Sequence, residues 1–326
     1  MHFRQTTIFI RADYVGVNVQ DVLPRDGIPS IDDPEFGPAY FGESEDEVIV
    51  VDGDPPRAYP IRILSYHEVV NDVVDGRPIA VTWCPICWSA VVYDRTVDGQ
   101  TLTFGVSGKL ADDALVMYDR ETESEWKQTT GTAFTGDLDG VRLSMLSAPM
   151  VSWERFTAEH PDGVVLQPVR GGGTTGQSPR EIYDMDPYER YADSGEFGLY
   201  GMRGEGERRS WDREGLDAKT VVLGVEVGDE AIGYPIPRIE AAGGIVTDSV
   251  PGRQVVVFAT DDGVHAFEDP GFDFERRGGS VHADGTTWNG PTGESTDGRR
   301  LERVPARRLF AFAWQDAHGR DAFYER

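Results

Sequence analysis

The sequence predicts a β-rich fold, mainly antiparallel with a few short helices (α+β by strict count), built as a tandem internal duplication of two similar β units. Three observations carry this. Short β-branched or aromatic runs, VIVV (48–51), PIAVTW (78–83), SAVVYD (89–94) and QTLTFGV (100–106), are bounded by Gly, Pro and Asp. Asp-Gly pairs at 75–76 and 98–99 lie between such runs and suit hairpin turns. The chain also carries one pattern twice. AYPIRILSYHEVVND (58–72) matches GYPIPRIEAAGGIVTD (233–248), and VVDGRPIAVTW matches SVPGRQVVVFA directly afterwards. Trp126–Gly131 and Trp288–Gly293 share one spacing, DGVRL (139–143) matches DGRRL (297–301), and Leu143–His160 and Leu301–His318 are both seventeen residues apart.

The order along the chain follows. Residues 1–44 form an N-terminal extension that packs on the core. Residues 45–165 are the first copy, with the CPIC turn. Residues 166–217 are a Gly-rich connecting segment containing Gly171 to Gly173, and its aromatic patch, Tyr183 to Tyr191, is suited to packing against both copies. Residues 218–326 are the second copy. Two helices are expected in the first copy. One lies in PIRILSYHEVVND, where Ile61, Leu64 and Val70 recur at helical steps and Pro60 opens the segment. The other is SWERFTAEH (152–160), capped by Ser152. A chain of 326 residues is long enough for each copy to bury a core.

The net charge is −26, from 57 acidic and 31 basic residues, of which only Lys109, Lys127 and Lys219 are lysine. Such a chain repels itself at low ionic strength. At molar salt the screening length falls to about 3 Å and the repulsion fades. The composition therefore reads as an acidic, halophilic-type surface, and it argues against nucleic acid and anionic membranes as partners. No stretch approaches the ~20 apolar residues of a membrane span. The run Ile8 to Ile10 is too short for a signal peptide. As it stands the chain is expected in the cytoplasm; a start codon called too far downstream would hide an export signal.

Both cysteines, Cys84 and Cys87, sit in VTWCPICWSAVVYDR. Ungapped matching puts them opposite Thr260 and Gly263, so the second copy lacks them. His67 and Glu68 fall opposite Ala242 and Gly243, within a residue, and the first copy alone has about twelve extra residues around 107–119. Any site therefore belongs to the first copy. A thioredoxin-type CxxC opens a helix, whereas CPIC is flanked by strands, as in a metal knuckle where two thiolates project from a β-turn. His67 is the next candidate ligand, with Glu68, Met117 and His160 weaker. Tetrahedral zinc wants four ligands, and a thiolate, imidazole and thioether set suits copper(I). A redox thiol pair, a local disulfide and a purely structural turn stand beside the metal reading, as does a non-catalytic binding or scaffold module. A small-molecule or metal ligand is compatible with each of the first readings. Asp112 and Asp113 are a carboxylate pair in a chain rich in them. Ser107 lacks a nucleophile elbow, and Trp126 and Trp288, present in both copies, read as core.

The order RAYPIRIL, HEVVND, GRPIAVTWCPIC, LTFGVSG and LVMYDRET resembles the domain-of-unknown-function 3179 family. PRDGIPSIDDPEFGPA (24–39), DPYERYADSGEF (186–197) and VVLGV (221–225) fit as well, so the resemblance covers about residues 21 to 318. It implies no activity. Relatives usually carry a small residue after the second cysteine, and this chain has Trp88, which resists the positive φ a knuckle turn wants.

Overall fold

The Asp-Gly pairs do close hairpins. In the computed structural model, which describes residues 17–169 and 178–325 apart from 229, 251 and 262, Asp75 and Gly76 take φ of 49° and 79°, and Asp98 and Gly99 take 49° and 81°. Two successive left-handed residues are what a tight turn between twisted strands requires. The apolar run Ile8 to Ile10 and Gly171 to Gly173 lie outside the described residues. The architecture is β-rich, with short helices set between mainly antiparallel sheets.

In the first half, the strands Met150–Ser152, Glu47–Val51 and Arg57–Pro60 pair antiparallel in that order. The helix Ile61–His67 follows, and then a meander of Val69–Val74, Arg77–Cys84 and Ser89–Asp94. In the second half, Ala306–Phe310, Val221–Val227 and Glu230–Pro235 pair the same way. They are followed by the helix Ile236–Ala241 and the meander Ile245–Val250, Arg253–Thr260, Gly263–Glu268. The likeness reaches single contacts. A Cβ on Gly131 would strike the Tyr93 ring at 2.5 Å, and one on Gly293 would strike the Phe267 ring at 2.4 Å. The backbone N–H of Trp83 bonds Glu68 O at 2.8 Å, as Ala259 bonds Gly244 O at 2.8 Å.

Two local expectations shift. The helix read through PIRILSYHEVVND stops at His67, and Val70 lies in a strand. Glu68 turns left-handed at φ 58°, and the β-branched VVNDVV continues as β. The run 100–106 divides between the short strand Gln100–Thr101 and the strand Phe104–Ala111, which forms a hairpin with Ala114–Asp119 out of the extra residues. The helix Trp153–Glu159 is capped as expected, with the Ser152 hydroxyl accepting from Arg155 N–H at 3.2 Å.

One sheet crosses between the halves. Arg308 of Ala306–Phe310 pairs with Ala90 of Ser89–Asp94, joining the first meander to the second half's strands. The largest buried cluster straddles this seam and holds Cys84, Cys87, Tyr191, Phe197, Phe310 and Phe312. Among the described residues, no helix is long and apolar enough to cross a membrane.

Candidate functional site

Cys84 ends one strand, Ser89 starts the next, and the two residues pair across the hairpin. Pro85 to Trp88 form the loop between them. The matching strands of the second half, Arg253–Thr260 and Gly263–Glu268, are separated by two positions only. Cys84 thus falls opposite Thr260 as expected, but Gly263 corresponds to Ser89. Cys87 belongs to a two-residue enlargement that ungapped matching could not reveal. Trp88 adopts φ 52°, so the conformation a knuckle turn wants is present despite the bulky side chain. Its ring stacks on Phe310 at 5.7 Å and meets Trp83 edge-on at 5.2 Å, an aromatic burial that offsets the backbone cost. The second half holds the turn from its far side, where Phe310 N–H donates to Cys87 O at 2.8 Å.

Both thiols are free and buried, at 1 % and 0 % exposure. They sit in the same hairpin loop and act on each other's titration. Cys84 Sγ accepts Leu115 N–H at 3.4 Å, while Cys87 Sγ donates to Asp113 O at 3.4 Å. The two thiols therefore differ. Burial pushes the Cys84 thiol up, but the Cys87 thiol and the N–H groups of Leu115, Cys87 and Ile86 favour its thiolate more and hold it below the ordinary range. Burial, and then the neighbouring Cys84, pushes Cys87 well above that range.

Glu68 is the third member. Its carboxyl is pushed up to about 8, first by burial, then by the neighbouring Cys84, with the Tyr188 hydroxyl at 3.4 Å pulling the other way. Its position matches Gly244, which takes φ 85°. The second half uses glycine where the first holds a buried carboxyl in a left-handed backbone.

His67 points elsewhere. Its Nδ1 bonds Pro29 O at 2.8 Å and its Nε2 bonds the Tyr183 hydroxyl at 2.7 Å. Burial lowers its basicity, and both ring nitrogens are engaged away from the sulfurs. Met117 is buried in the same cluster as the cysteines. His160 caps the helix Trp153–Glu159 and packs on Phe156, in a different cluster. Among the described residues, no group of three or more His, Cys, Asp or Glu side chains is placed to hold a metal ion. Asp112 pairs with Lys127 at 2.7 Å, and Asp113 with Arg209 at 2.9 Å. Ser107 Oγ donates to Val116 O at 2.7 Å, and Trp126 and Trp288 are core.

The connecting segment closes over the pair. Tyr191 donates its hydroxyl to Ile86 O inside the CPIC loop at 2.7 Å. Leu199 N–H donates to Asp113 Oδ1 at 3.0 Å, and Phe197 packs on Phe312 with ring centroids 5.1 Å apart. Tyr188 and Tyr191 were visible only as an aromatic patch; no motif marked them as site residues.

A β-rich scaffold of two like-wired halves, with an asymmetric cysteine pair buried at their seam, defines the class of protein. Over residues 25–323 the chain matches the family described as "Protein of unknown function (DUF3179)", and it belongs to that family. No curated protein and no solved structure matches it.

Proposed function

We propose that Cys84 and Cys87 form a dithiol–disulfide redox centre, carried by the first of two copies of a duplicated β unit. The observation that carries this is two buried, unequally held thiols in one hairpin loop, Cys84 Sγ accepting the Leu115 N–H and Cys87 Sγ donating to Asp113 O. A lowered thiol pKa supplies the nucleophilic thiolate without a helix N-terminus. The chemistry balances as follows. The Cys84 thiolate attacks one sulfur of a substrate disulfide, whose S–S bond breaks, and the leaving thiolate takes a proton. Cys87 gives up its proton and its sulfur attacks Cys84, releasing the second substrate thiolate and leaving a Cys84–Cys87 disulfide. The pair loses two electrons and the substrate gains them.

Duplication accounts for the shared strand pairings and the Gly131–Tyr93 and Gly293–Phe267 contacts. It also marks the enlarged loop and Glu68 as departures within the first copy. A second reading is a soft-metal site, zinc or copper(I), on the same two thiolates; it is favoured by the positive φ at Trp88.

Alkylation of each cysteine across pH, on protein purified under reducing conditions, separates these readings when combined with metal analysis. The redox reading predicts metal-free, folded protein in which Cys84 reacts at lower pH than Cys87. Stoichiometric metal that is lost in Cys84→Ser/Cys87→Ser favours the second reading. Equal, ordinary reactivity without metal leaves the turn structural and the protein a binding or scaffold module.

A further inference from the structure

The connecting segment forms a strap over the thiols, residues 188–211, and it is fastened to the residues that hold them. Tyr191 donates to Ile86 O inside the CPIC loop at 2.7 Å. Asp113 supplies the other anchor. Its backbone carbonyl accepts the Cys87 S–H at 3.4 Å, while its carboxylate accepts Leu199 N–H at 3.0 Å and Arg209 at 2.9 Å. Arg209 also donates to Asp316 at 2.6 Å, which ties the strap to the helix Ala311–His318. Tyr191, Phe197 and Leu199 lie in the buried cluster that contains both cysteines.

Asp113 has little freedom to yield. With Asp112 it closes the hairpin between Phe104–Ala111 and Ala114–Asp119, and the two residues take φ of 50° and 63°. Left-handed backbone is costly for a residue other than glycine and persists only where the surroundings fix it. On the strap side the fit is equally close. Gly198 takes φ 66°, and a Cβ there would lie 2.3 Å from Asp113 Oδ2. Gly198 N–H donates to the Tyr191 hydroxyl at 3.2 Å, so the two anchors of the strap are joined to each other. Oxidation acts on this assembly at a defined bond. A disulfide sulfur carries no hydrogen, so Cys87 can no longer donate to Asp113 O, and a buried carbonyl is left without that donor. Forming the S–S bond also draws the loop out of its dithiol position, and Ile86 lies between the two cysteines in that loop.

We propose that the strap is a redox-sensitive latch: the dithiol holds residues 188–211 closed through Asp113 and Ile86, and the Cys84–Cys87 disulfide releases them. This rests on the dithiol reading of Cys84 and Cys87. Both sulfurs are buried, so the oxidant, a small organic disulfide, enters when the strap opens. Its S–S bond breaks to two thiols as the Cys84–Cys87 bond forms, and two electrons and two protons pass to it. The new disulfide then keeps the strap from closing. Such coupling is reciprocal, so a change that weakens the hold on the strap favours the disulfide by the same factor.

The test compares amide hydrogen exchange of the full-length protein in its two states, one kept reduced and one oxidised with dithiodipyridine, the disulfide being verified by intact mass. Cys84→Ser/Cys87→Ser given the same treatment serves as the blank. Peptides carrying Gly198 and Leu199 should exchange about tenfold faster in the oxidised protein. The strand Arg253–Thr260 of the second half should keep its rate, which separates release of the strap from a general loss of stability. Reciprocity supplies a second measurement. In glutathione buffers, Tyr191→Phe, which removes one hydroxyl, should move the thiol–disulfide equilibrium about fivefold toward the disulfide. Equal exchange in the two states, or an equilibrium that Tyr191→Phe leaves unmoved, overturns the latch while leaving the dithiol in place. A folded protein that forms no Cys84–Cys87 disulfide overturns the dithiol reading and this inference with it.

Discussion

Glu68 is held at φ 58°, a region that costs a residue other than glycine about 1–3 kcal/mol. Its carboxyl is also buried beside a thiol. Its pKa, pushed up to about 8, makes the folded chain bind a proton that the unfolded chain releases near pH 4.5. That stabilisation is complete below the unfolded value and is lost as pH rises toward 8. Denaturant melts from pH 5 to 9 should therefore show wild type losing stability relative to Glu68→Gln, by up to about 1.4 kcal/mol per pH unit; parallel profiles would refute the assignment. His67 makes a different case. Because Nε2 is bonded to Tyr183, Tyr183→Phe should cost about 1–3 kcal/mol in the same melts and leave Cys84 reactivity at low denaturant unchanged.

At the scale of elements, the enlarged hairpin loop and the strap over it act together. Tyr191 ties them through Ile86 O. Tyr191→Phe removes that bond at a cost of about 1 kcal/mol, so alkylation of Cys84 should quicken about fivefold if opening of the strap limits it. An unchanged rate would mean that access runs elsewhere. Much of this level was legible in the chain. Asp-Gly pairs announced the hairpins, Ser152 the helix start, and Tyr183 to Tyr191 a segment with aromatic faces to bury. The end of the first helix was not legible, because a glutamate rather than a glycine takes the left-handed position and no local signal marks it. The place of Cys87 was hidden for a related reason: a two-residue difference in hairpin length leaves no mark on an ungapped match of the two halves. Phe310 at the site could not be foreseen, since pairing of Ala306–Phe310 with Ser89–Asp94 joins residues more than two hundred positions apart.

For the whole molecule, one buried charge cluster fastens the halves. Glu226 accepts from Arg307, which is 1 % exposed, from His318 at 2.9 Å and from Arg142 of the first half. Burial disfavours the Glu226 carboxylate, but Arg307, His318 and Arg142 outweigh that and hold it far below the usual range. The resulting stability is present above the unfolded value near 4.5 and is lost as pH falls below it. Glu226→Gln should cost about 3–5 kcal/mol at neutral pH by leaving Arg307 buried without its partner. The −26 charge acts over longer range. As salt rises from about 0.1 to 1 M, the screening length shrinks from about 10 Å to about 3 Å. The melting temperature should climb with sodium chloride, and a flat dependence would refute the high-salt reading of the composition.

The redox centre itself is tested most directly by equilibrating the folded chain in thiol–disulfide buffers of graded potential and weighing it intact after acid quenching. The expected result is one two-electron transition, with loss of two hydrogens, mapped to a Cys84–Cys87 disulfide and absent in Cys87→Ser. Two free thiols at every potential, in protein that keeps its fold, would contradict the account.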